Sequence, residues 1–216
     1  MTSVSVVLPI FLPTAKHKEM TDKCIYLAKA NTNIDAKWVI VETCSKHYEH
    51  EADIYIHEEV KTTPNKSINR GFGAADTEFV IFLANDVFVG EGWIESLLEC
   101  FEKKDCGMAT LGTTEYGCTK TGEIIERIYF SVCMVRKSDA WFDPAYDNLF
   151  DDSDLIMRIY ANGKKCYMNL GCIVDHLRHK TYGPPNLSDP KNIKQREYFQ
   201  KKWEAHKDSP IYKLFA

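Results

Sequence analysis

Residues 79–84, with the sequence FVIFLA, limit the fold of this chain more than any other segment. Every position is apolar, which is typical of a strand that is buried on both faces. The apolar run stops at Asn85 and Asp86, and apolar residues resume at Val87. A carboxylate at the end of a core strand therefore needs an explanation, and the rest of the sequence supplies it.

The N-terminal half alternates between strand and helix patterns. Four apolar runs predict strands, the first of them closed by Pro9: 3–8, 36–43, 53–59 and 78–84. Apolar residues at helical spacing predict three helices: 14–30, 65–76 and 93–103. The alternation predicts an α/β fold with a mostly parallel central sheet and helices on both faces. Because such sheets bind ligands beyond the carboxyl ends of their strands, we expect Glu42 and Asp86 to face a ligand.

The C-terminal half is less regular than the N-terminal half. Its patterns predict one or two strands at 124–135, a helix at 151–161 and a strand pair at 165–175. We find no repeat, linker or low-complexity segment in the sequence. We therefore expect one domain over residues 1–185, with 186–216 as a polar helical tail that packs on the same domain.

Composition excludes several classes of protein. The net charge of −4 and the pI of about 6.0 give no overall electrostatic case for binding nucleic acid. No apolar run approaches the ~20 residues that span a bilayer, and the N-terminus lacks a signal-peptide pattern. We therefore expect a cytoplasmic protein, with peripheral membrane contact as an open alternative. None of the 8 cysteines forms a C-x-x-C pair, so we expect reduced thiols and not a zinc site.

Asp86 has two interpretations. An Asn-Asp pair commonly ends a strand, because both side chains bond to nearby backbone in turns. Alternatively, Asp86 binds a hard cation such as Mg²⁺ or Mn²⁺, which takes one or two carboxylates together with phosphate oxygens of a substrate.

The segment FDDSDLIMRIYANGKK, residues 150–165, places three acids at the start of a predicted helix. Asp151 can cap the helix, and Asp154, three residues later, can complete a capping box. These two roles leave Asp152 unexplained. The helix dipole favours acids at a helix start, which is the structural interpretation of this cluster. The third carboxylate, which capping does not require, instead indicates a functional group.

The segment IVDHLRHK, residues 173–180, ends a predicted strand at His176 and continues into a basic run. A histidine in this position is commonly a hydrogen-bonded surface residue, and the cations are commonly solvated. Arg178 and Lys180 could also belong to a loop that meets a phosphate group.

Together, and in this order, these segments resemble the GT-A glycosyltransferases, and within them glycosyltransferase family 2. SVSVVLPI resembles the opening strand of that family, and VIVETCS its second strand with an acidic end. NKSINRGFGAADTEFVIFLANDV resembles the central segment that ends in a metal-binding acidic motif. WFDPAYDNLFDDSDLIMRIYANGKKCYMNLGCIVDH resembles the acceptor-side segment, with its acidic pair, helix, glycine and late histidine. The chain differs from the family at Ile10–Leu12, at Glu42, where Asp is common, and at Asn85 in the metal motif.

The resemblance implies a nucleotide diphosphate sugar donor and a divalent cation, Mn²⁺ or Mg²⁺. Asp86 would bind the cation, and His176 would be a second ligand or a phosphate contact. The resemblance further implies a donor-binding set of residues, in which Glu42 holds the nucleoside and Pro9 shapes the floor of its pocket: Pro9, Glu42, Lys66, Asn69, Asn85, Arg178 and Lys180.

For the acceptor, the resemblance implies a catalytic base that removes the proton of a hydroxyl group. We assign this role to Asp152, with Asp151 as the competing assignment, and expect inversion at the anomeric carbon. The acceptor itself stays open among a glycan, a lipid-linked glycan, a protein and a modified nucleic acid. Two other functions also stay open: a nucleotide-sugar-binding protein without catalysis, for which Asn85 argues, and a sugar nucleotidyltransferase.

Overall fold

A computed structural model of the chain describes residues 2–44, 50–128, 132–147, 149–177 and 186–215. The described residues form nine strands and five α-helices, in chain order: β1 (Val4–Phe11), α1 (Ala15–Ala30), β2 (Ala36–Thr43), β3 (Ile54–Glu58), α2 (Pro64–Ala74), β4 (Phe79–Leu83), β5 (Val87–Phe88), α3 (Trp93–Cys100), β6 (Cys106–Thr113), β7 (Ile124–Glu126), β8 (Val132–Arg136), α4 (Asp151–Ala161), β9 (Lys165–His176) and α5 (Pro190–Lys202).

The strands join one sheet in the order β3-β2-β1-β4-β8-β6-β9-β5, and β7 pairs with β9. Parallel pairs link β3, β2, β1 and β4, and another links β6 to β9. Because β8 lies antiparallel between β4 and β6, β6 runs in the same direction as β4. Six strands therefore run in one direction: β3, β2, β1, β4, β6 and β9. The α/β fold with a mostly parallel sheet is therefore confirmed, although an antiparallel strand lies at its centre.

Helices cover both faces of the sheet. One apolar core lies between the sheet and helices α1 and α3, and a second lies between the sheet and helices α2 and α4. Helix α2 approaches β1 so closely that a side chain at Gly71 would collide with Val7. The two cores fix the sheet between its helices, so the carboxyl ends of the parallel strands form a rigid edge.

The structure differs from the sequence-based prediction at three strands. β1 does not stop at Pro9 but continues to Phe11 along β2, and proline is accommodated because the pairing of β1 with β4 ends at Val7. β6 was not predicted, although each of its positions is buried. Residues 165–175 belong to one strand, β9, and not to a strand pair. The pairing of β9 with β6 is irregular, since Leu111 pairs with Asn169 and the next residue, Gly112, pairs with Ile173.

The C-terminal segment, defined here as residues 186–215, packs on α4 through its own small core. Phe199, Trp203 and Tyr212 of this segment pack with Tyr146 and Met157. In the described parts of the chain, no helix combines the length and the apolar character that crossing a membrane requires.

Candidate active site

Asp86 lies at the carboxyl end of β4, in the short turn that leads into β5. Helix α1 holds this turn in two places. The amide of Asn85 donates to Thr21 Oγ1 at 2.9 Å, and the Cys24 thiol donates to the carbonyl of Val87 at 3.1 Å. Burial, followed by the charge of Asp86, raises the pKa of Cys24, so this thiol stays a neutral donor. The turn is therefore fixed by the fold, and Asn85 contributes to its support.

His176 lies beside Asp86, because the last residues of β9 pair with β5. Val87 pairs with His176, and the backbone N–H of Leu177 donates to the carbonyl of Asp86 at 3.0 Å. His176 Nε2 is 3.4 Å from Asp86 Oδ1, and His176 Nδ1 is 3.3 Å from Glu115 Oε2. Glu115 follows β6, and sequence reasoning missed it together with that strand. The three side chains, from three separate parts of the chain, are all largely buried.

The carboxylate of Asp86 is the kind of oxygen ligand that Mg²⁺ and Mn²⁺ prefer, and His176 places an imidazole nitrogen beside it. Within the described residues, no group of three or more acidic, histidine or cysteine side chains forms a metal site by itself. Mg²⁺ and Mn²⁺ do not require such a group, because they commonly take one or two protein ligands and fill their shell with phosphate oxygens and water. A neutral imidazole whose other nitrogen donates to a carboxylate is a favourable arrangement for a metal ligand, and Glu115 is placed to supply that carboxylate.

Glu42 lies at the end of β2, with its side chain fully buried. One of its carboxylate oxygens contacts Nδ1 of His57 and accepts a hydrogen bond from the hydroxyl of Tyr55 at 3.1 Å, both from β3. The imidazole of His57 is 45% exposed, so it lies between the Glu42 carboxylate and solvent. Pro9 lies on the neighbouring strand β1, one residue before the partner of Glu42. The structure thus brings Pro9 and Glu42 together at the same strand ends.

A pocket of about 340 Å³ opens between the end of β3 and helix α2. It is lined by Glu58, Thr62, Lys66, Asn69 and Arg70. Glu58 accepts from the hydroxyl of Thr62 at 2.6 Å and pairs with Arg70 at 2.8 Å.

Asn69 also has a structural role at this pocket. Its amide exchanges two hydrogen bonds, of 2.6 and 2.8 Å, with the backbone of Phe142, and so joins α2 to the loop before α4. Two further predicted donor contacts, Arg178 and Lys180, lie outside the described residues.

The start of α4 differs from the prediction. The capping residue is Phe150, in the left-handed conformation with φ of 66°, and Asp151 is the first helical residue. Neither Asp151 nor Asp154 forms the expected capping box. Because non-glycine residues seldom adopt a positive φ, this start needs support from the surrounding structure.

Asp151 and Asp152 are both partly buried at this helix start. Burial, followed by the charge of Asp152, raises the pKa of Asp151 to about 7. Burial also raises the pKa of Asp152, although hydrogen bonds from the N–H and hydroxyl of Ser153 oppose that rise. Asp151 can therefore hold or release a proton near neutral pH, and the raised pKa of Asp152 makes it a stronger proton acceptor than an exposed aspartate.

Asp154, assigned to the capping box from the sequence, is instead a fully buried ionic centre. Its Oδ1 lies 2.7 Å from Lys202 Nζ and accepts from Trp203 Nε1 at 2.9 Å, and its Oδ2 lies 3.3 Å from Arg158 Nε. No local pattern indicates this role, because Lys202 and Trp203 lie almost fifty residues further along the chain.

The start of α4 and the Asp86 turn lie toward the same edge of the sheet. β8 begins beside the end of β4, with Cys133 opposite Phe82. The charge of Asp152 contributes to the raised pKa of the Cys133 thiol, although burial is the main cause. The acids of α4 therefore lie on the α2–α4 side of the edge, whereas helix α1 supports the Asp86 turn from the other side.

Comparison with known proteins agrees with this geometry. The model of glycosyl transferase family 2 matches residues 10–155, more than half of the chain. Among solved structures, the fold is similar to that of the crystal structure of GalNAc-T7 with UDP, GalNAc and Mn²⁺, with a TM-score of 0.70 and 13% sequence identity. That match covers 95% of this chain and 50% of the other, so this chain spans half the length of that protein. A search of curated proteins gave no match.

The sheet order, the polar edge and the structural similarity define a protein of the GT-A glycosyltransferase fold. The chain belongs to glycosyl transferase family 2, whose model spans it from β1 into α4. The family resemblance drawn from the sequence is therefore confirmed.

Proposed function

We propose that the protein transfers a sugar from a nucleotide diphosphate sugar to an acceptor hydroxyl group. The observation that carries this proposal is the arrangement of acids at the carboxyl edge of a family 2 fold. Asp86 and His176 lie on one side, in a pair suited to a cation and a diphosphate. Asp151 and Asp152 lie on the other side, in a pair suited to take a proton.

On the donor side, Asp86 and His176 would hold Mn²⁺ or Mg²⁺. When bound, the cation supplies positive charge against the negative charge that develops on the diphosphate as the glycosidic bond breaks. Glu115 Oε2 lies 3.3 Å from the second ring nitrogen of His176 and would orient the imidazole toward the cation. Asn85 contributes by fixing the turn through Thr21.

The nucleoside would lie over the ends of β1 and β2. Pro9 forms part of the floor, and Glu42 acts on the nucleoside through or beside the exposed imidazole of His57. Two pairs of residues complete the proposed donor site. Lys66 and Asn69 line the α2 pocket, and Arg178 and Lys180 follow β9 in the sequence.

On the acceptor side, Asp152 is the proposed base, with Asp151 as the alternative. The acceptor oxygen forms a bond to the anomeric carbon while the bond from that carbon to the diphosphate breaks, and the hydroxyl proton passes to the Asp152 carboxylate. A single displacement of this kind inverts the anomeric centre. The proposed acceptor is a glycan, a lipid-linked glycan, a protein or a modified nucleic acid. The proposed location is cytoplasmic, with peripheral membrane contact as an open alternative.

A binding protein without catalysis is the second candidate, because Asn85 replaces an acid of the family's metal motif. The side-chain amide of Asn85 donates to Thr21 and so supports the turn. The change from an acid to Asn85 therefore has a structural role and does not only remove a metal ligand. This contact favours the enzyme over the pure binding protein.

A donor screen tests the proposal. The full chain is incubated with UDP-, GDP- and dTDP-sugars plus Mn²⁺, with water or methyl glycosides as acceptors, and the released nucleotide is measured. We expect at least one donor to release nucleotide well above the level given by Asp152→Asn. Equal release by wild type and by Asp152→Asn and Asp151→Asn, for every donor, would contradict the proposal.

A further inference from the structure

The C-terminal segment lies beyond the part of the chain that matches the family, which ends at residue 155. It nevertheless contacts α4 on both sides of the Asp151–Asp152 pair. These two contacts differ in chemistry, and each can be examined separately.

The first contact is aromatic and precedes the pair. The ring of Phe150 stacks on Phe199 of α5, with 5.2 Å between ring centroids and 30° between planes. Phe199 is fully buried and also stacks on Tyr212, at 6.0 Å. Because Phe150 adopts a positive φ, its conformation needs such packing to persist. The aromatic contact therefore supports the backbone from which Asp151 begins.

The second contact is ionic and follows the pair. Lys202 Nζ lies 2.7 Å from Asp154 and 2.7 Å from Asp143, whose carboxylates are both largely buried. Trp203 Nε1 donates to the same Asp154 oxygen as Lys202, at 2.9 Å. A buried carboxylate without its partners would be costly, so Asp154 is held where these donors meet it.

We propose that the C-terminal segment positions the catalytic base, with Lys202 and Trp203 acting through Asp154 on the carboxylates of Asp151 and Asp152. A base must lie within hydrogen-bond reach of the acceptor hydroxyl, and a misplacement of about 1 Å can lower a rate by roughly 10²-fold. The aspartate pair lies between two residues that the segment anchors. This inference rests on the proposed function, in which one of the pair takes the proton.

The same contacts could instead serve stability alone, and kinetics separates the two roles. A purely stabilising contact lowers the melting temperature and leaves the turnover of the folded enzyme unchanged. A positioning contact lowers kcat at temperatures where the protein is fully folded. Since Asp86 lies in a turn held by α1 and beside β9, and Glu42 contacts β3, a positioning contact also leaves donor affinity unchanged.

The test uses Lys202→Met in the full chain, assayed well below its melting temperature, with the best donor of the donor screen and a methyl glycoside acceptor. We expect kcat to fall about tenfold or more, while donor KM and the Mn²⁺-dependent affinity for the nucleoside diphosphate of that donor stay within about twofold. Lys202→Arg, which keeps the cation, should restore most of the rate. Trp203→Phe keeps the ring, removes the donor to Asp154, and supplies a milder variant if Lys202→Met folds poorly.

Two controls complete the design. Lys201→Met changes the exposed neighbour, and Leu97→Val loosens the distant core beneath α3; both should keep the wild-type kcat. Wild-type kcat in Lys202→Met and Trp203→Phe, alongside loss of transfer in Asp152→Asn, would overturn the inference and leave the proposed function intact. Wild-type transfer in both Asp151→Asn and Asp152→Asn would instead remove the proposed function itself.

Discussion

The two sides of the carboxyl edge hold their acids by different means. Asp86 and Glu42, on the proposed donor side, lie at or just beyond strand ends and contact imidazoles of strands β9 and β3. Asp154, on the base side, belongs to a helix start and depends on a lysine and a tryptophan from the distant C-terminal segment. The donor side is therefore part of the sheet, whereas the base side is assembled from separate parts of the chain.

This difference predicts how the two sides respond to change. Strand ends are fixed by hydrogen bonds along whole strands, so a change there should alter binding and leave the rest of the site in place. A helix start that is supported from outside should alter turnover when its support is weakened. Changes on the donor side should thus appear in affinity, and changes on the base side in kcat.

The largest effect is expected for Asp152→Asn. The substitution keeps size and hydrogen bonding but removes the capacity to accept a proton, so transfer should fall by a factor of roughly 10² or more. Nucleotide binding should be unchanged, since Asp86 and His176 are untouched. Steady-state kinetics with saturating donor, together with UDP titration, measures both quantities.

Asp151→Asn is the matched control for that substitution. Because Asp151 is the first helical residue and not the capping residue, its replacement should change stability little and lower the rate less than Asp152→Asn does. If Asp151→Asn removes transfer and Asp152→Asn stays active, the assignment of the base is reversed.

A smaller effect is expected for Glu42→Ala. The substitution frees His57 and Tyr55 from the carboxylate that orients them, and nucleotide binding should weaken by about 1–3 kcal/mol. At saturating donor, kcat should stay near the wild-type value. A fall in kcat without a change in UDP affinity would mean that the nucleoside binds elsewhere and would break the comparison between the two sides.

The dependence of rate on pH should be the most gradual effect. Burial raises the pKa of Asp152, the proposed base, so its basic form is reached at a higher pH than in an exposed aspartate. Because only the basic form takes the proton of the acceptor, kcat should rise with pH across the range in which Asp152 loses its proton. If Asp151 is the base instead, the rise should continue to about pH 7, the pKa of that carboxyl. A flat profile between pH 5 and 8 at constant donor saturation, in a range where the fold is intact, would contradict base catalysis by this pair.

Local patterns in the sequence predicted most of the strands and strand-end polar residues on the proposed donor side. The strand at 36–43 was predicted with its observed bounds, and the prediction of polar residues beyond strand ends placed Asp86 correctly at the edge. Periodicity is enough there because each strand is a short run of apolar residues buried by helices on both faces. His176 was named from the sequence, but its contact with Asp86 depends on the pairing of β5 with β9.

Glu115 is the exception on the donor side. It follows β6, whose sequence CGMATLGT has two glycines and few residues of high strand propensity, so no strand was predicted there and Glu115 was missed with it. The base side could not be predicted from local patterns. The positive φ of Phe150 and the ionic centre at Asp154 depend on contacts with α5, which no local pattern contains. The sequence predicted a capping box from Asp151 and Asp154 at this helix start. In the structure, Asp154 instead contacts Lys202, Trp203 and Arg158.

The most direct test of the division between the two sides is calorimetric titration of the nucleoside diphosphate of the best donor in the screen, with and without Mn²⁺, into wild type, Asp86→Ala and Asp152→Asn. The account predicts that Asp86→Ala loses the Mn²⁺-dependent part of this binding while remaining folded, and that Asp152→Asn binds as wild type does. Unchanged Mn²⁺-dependent binding in Asp86→Ala, or its loss in Asp152→Asn, would contradict the account.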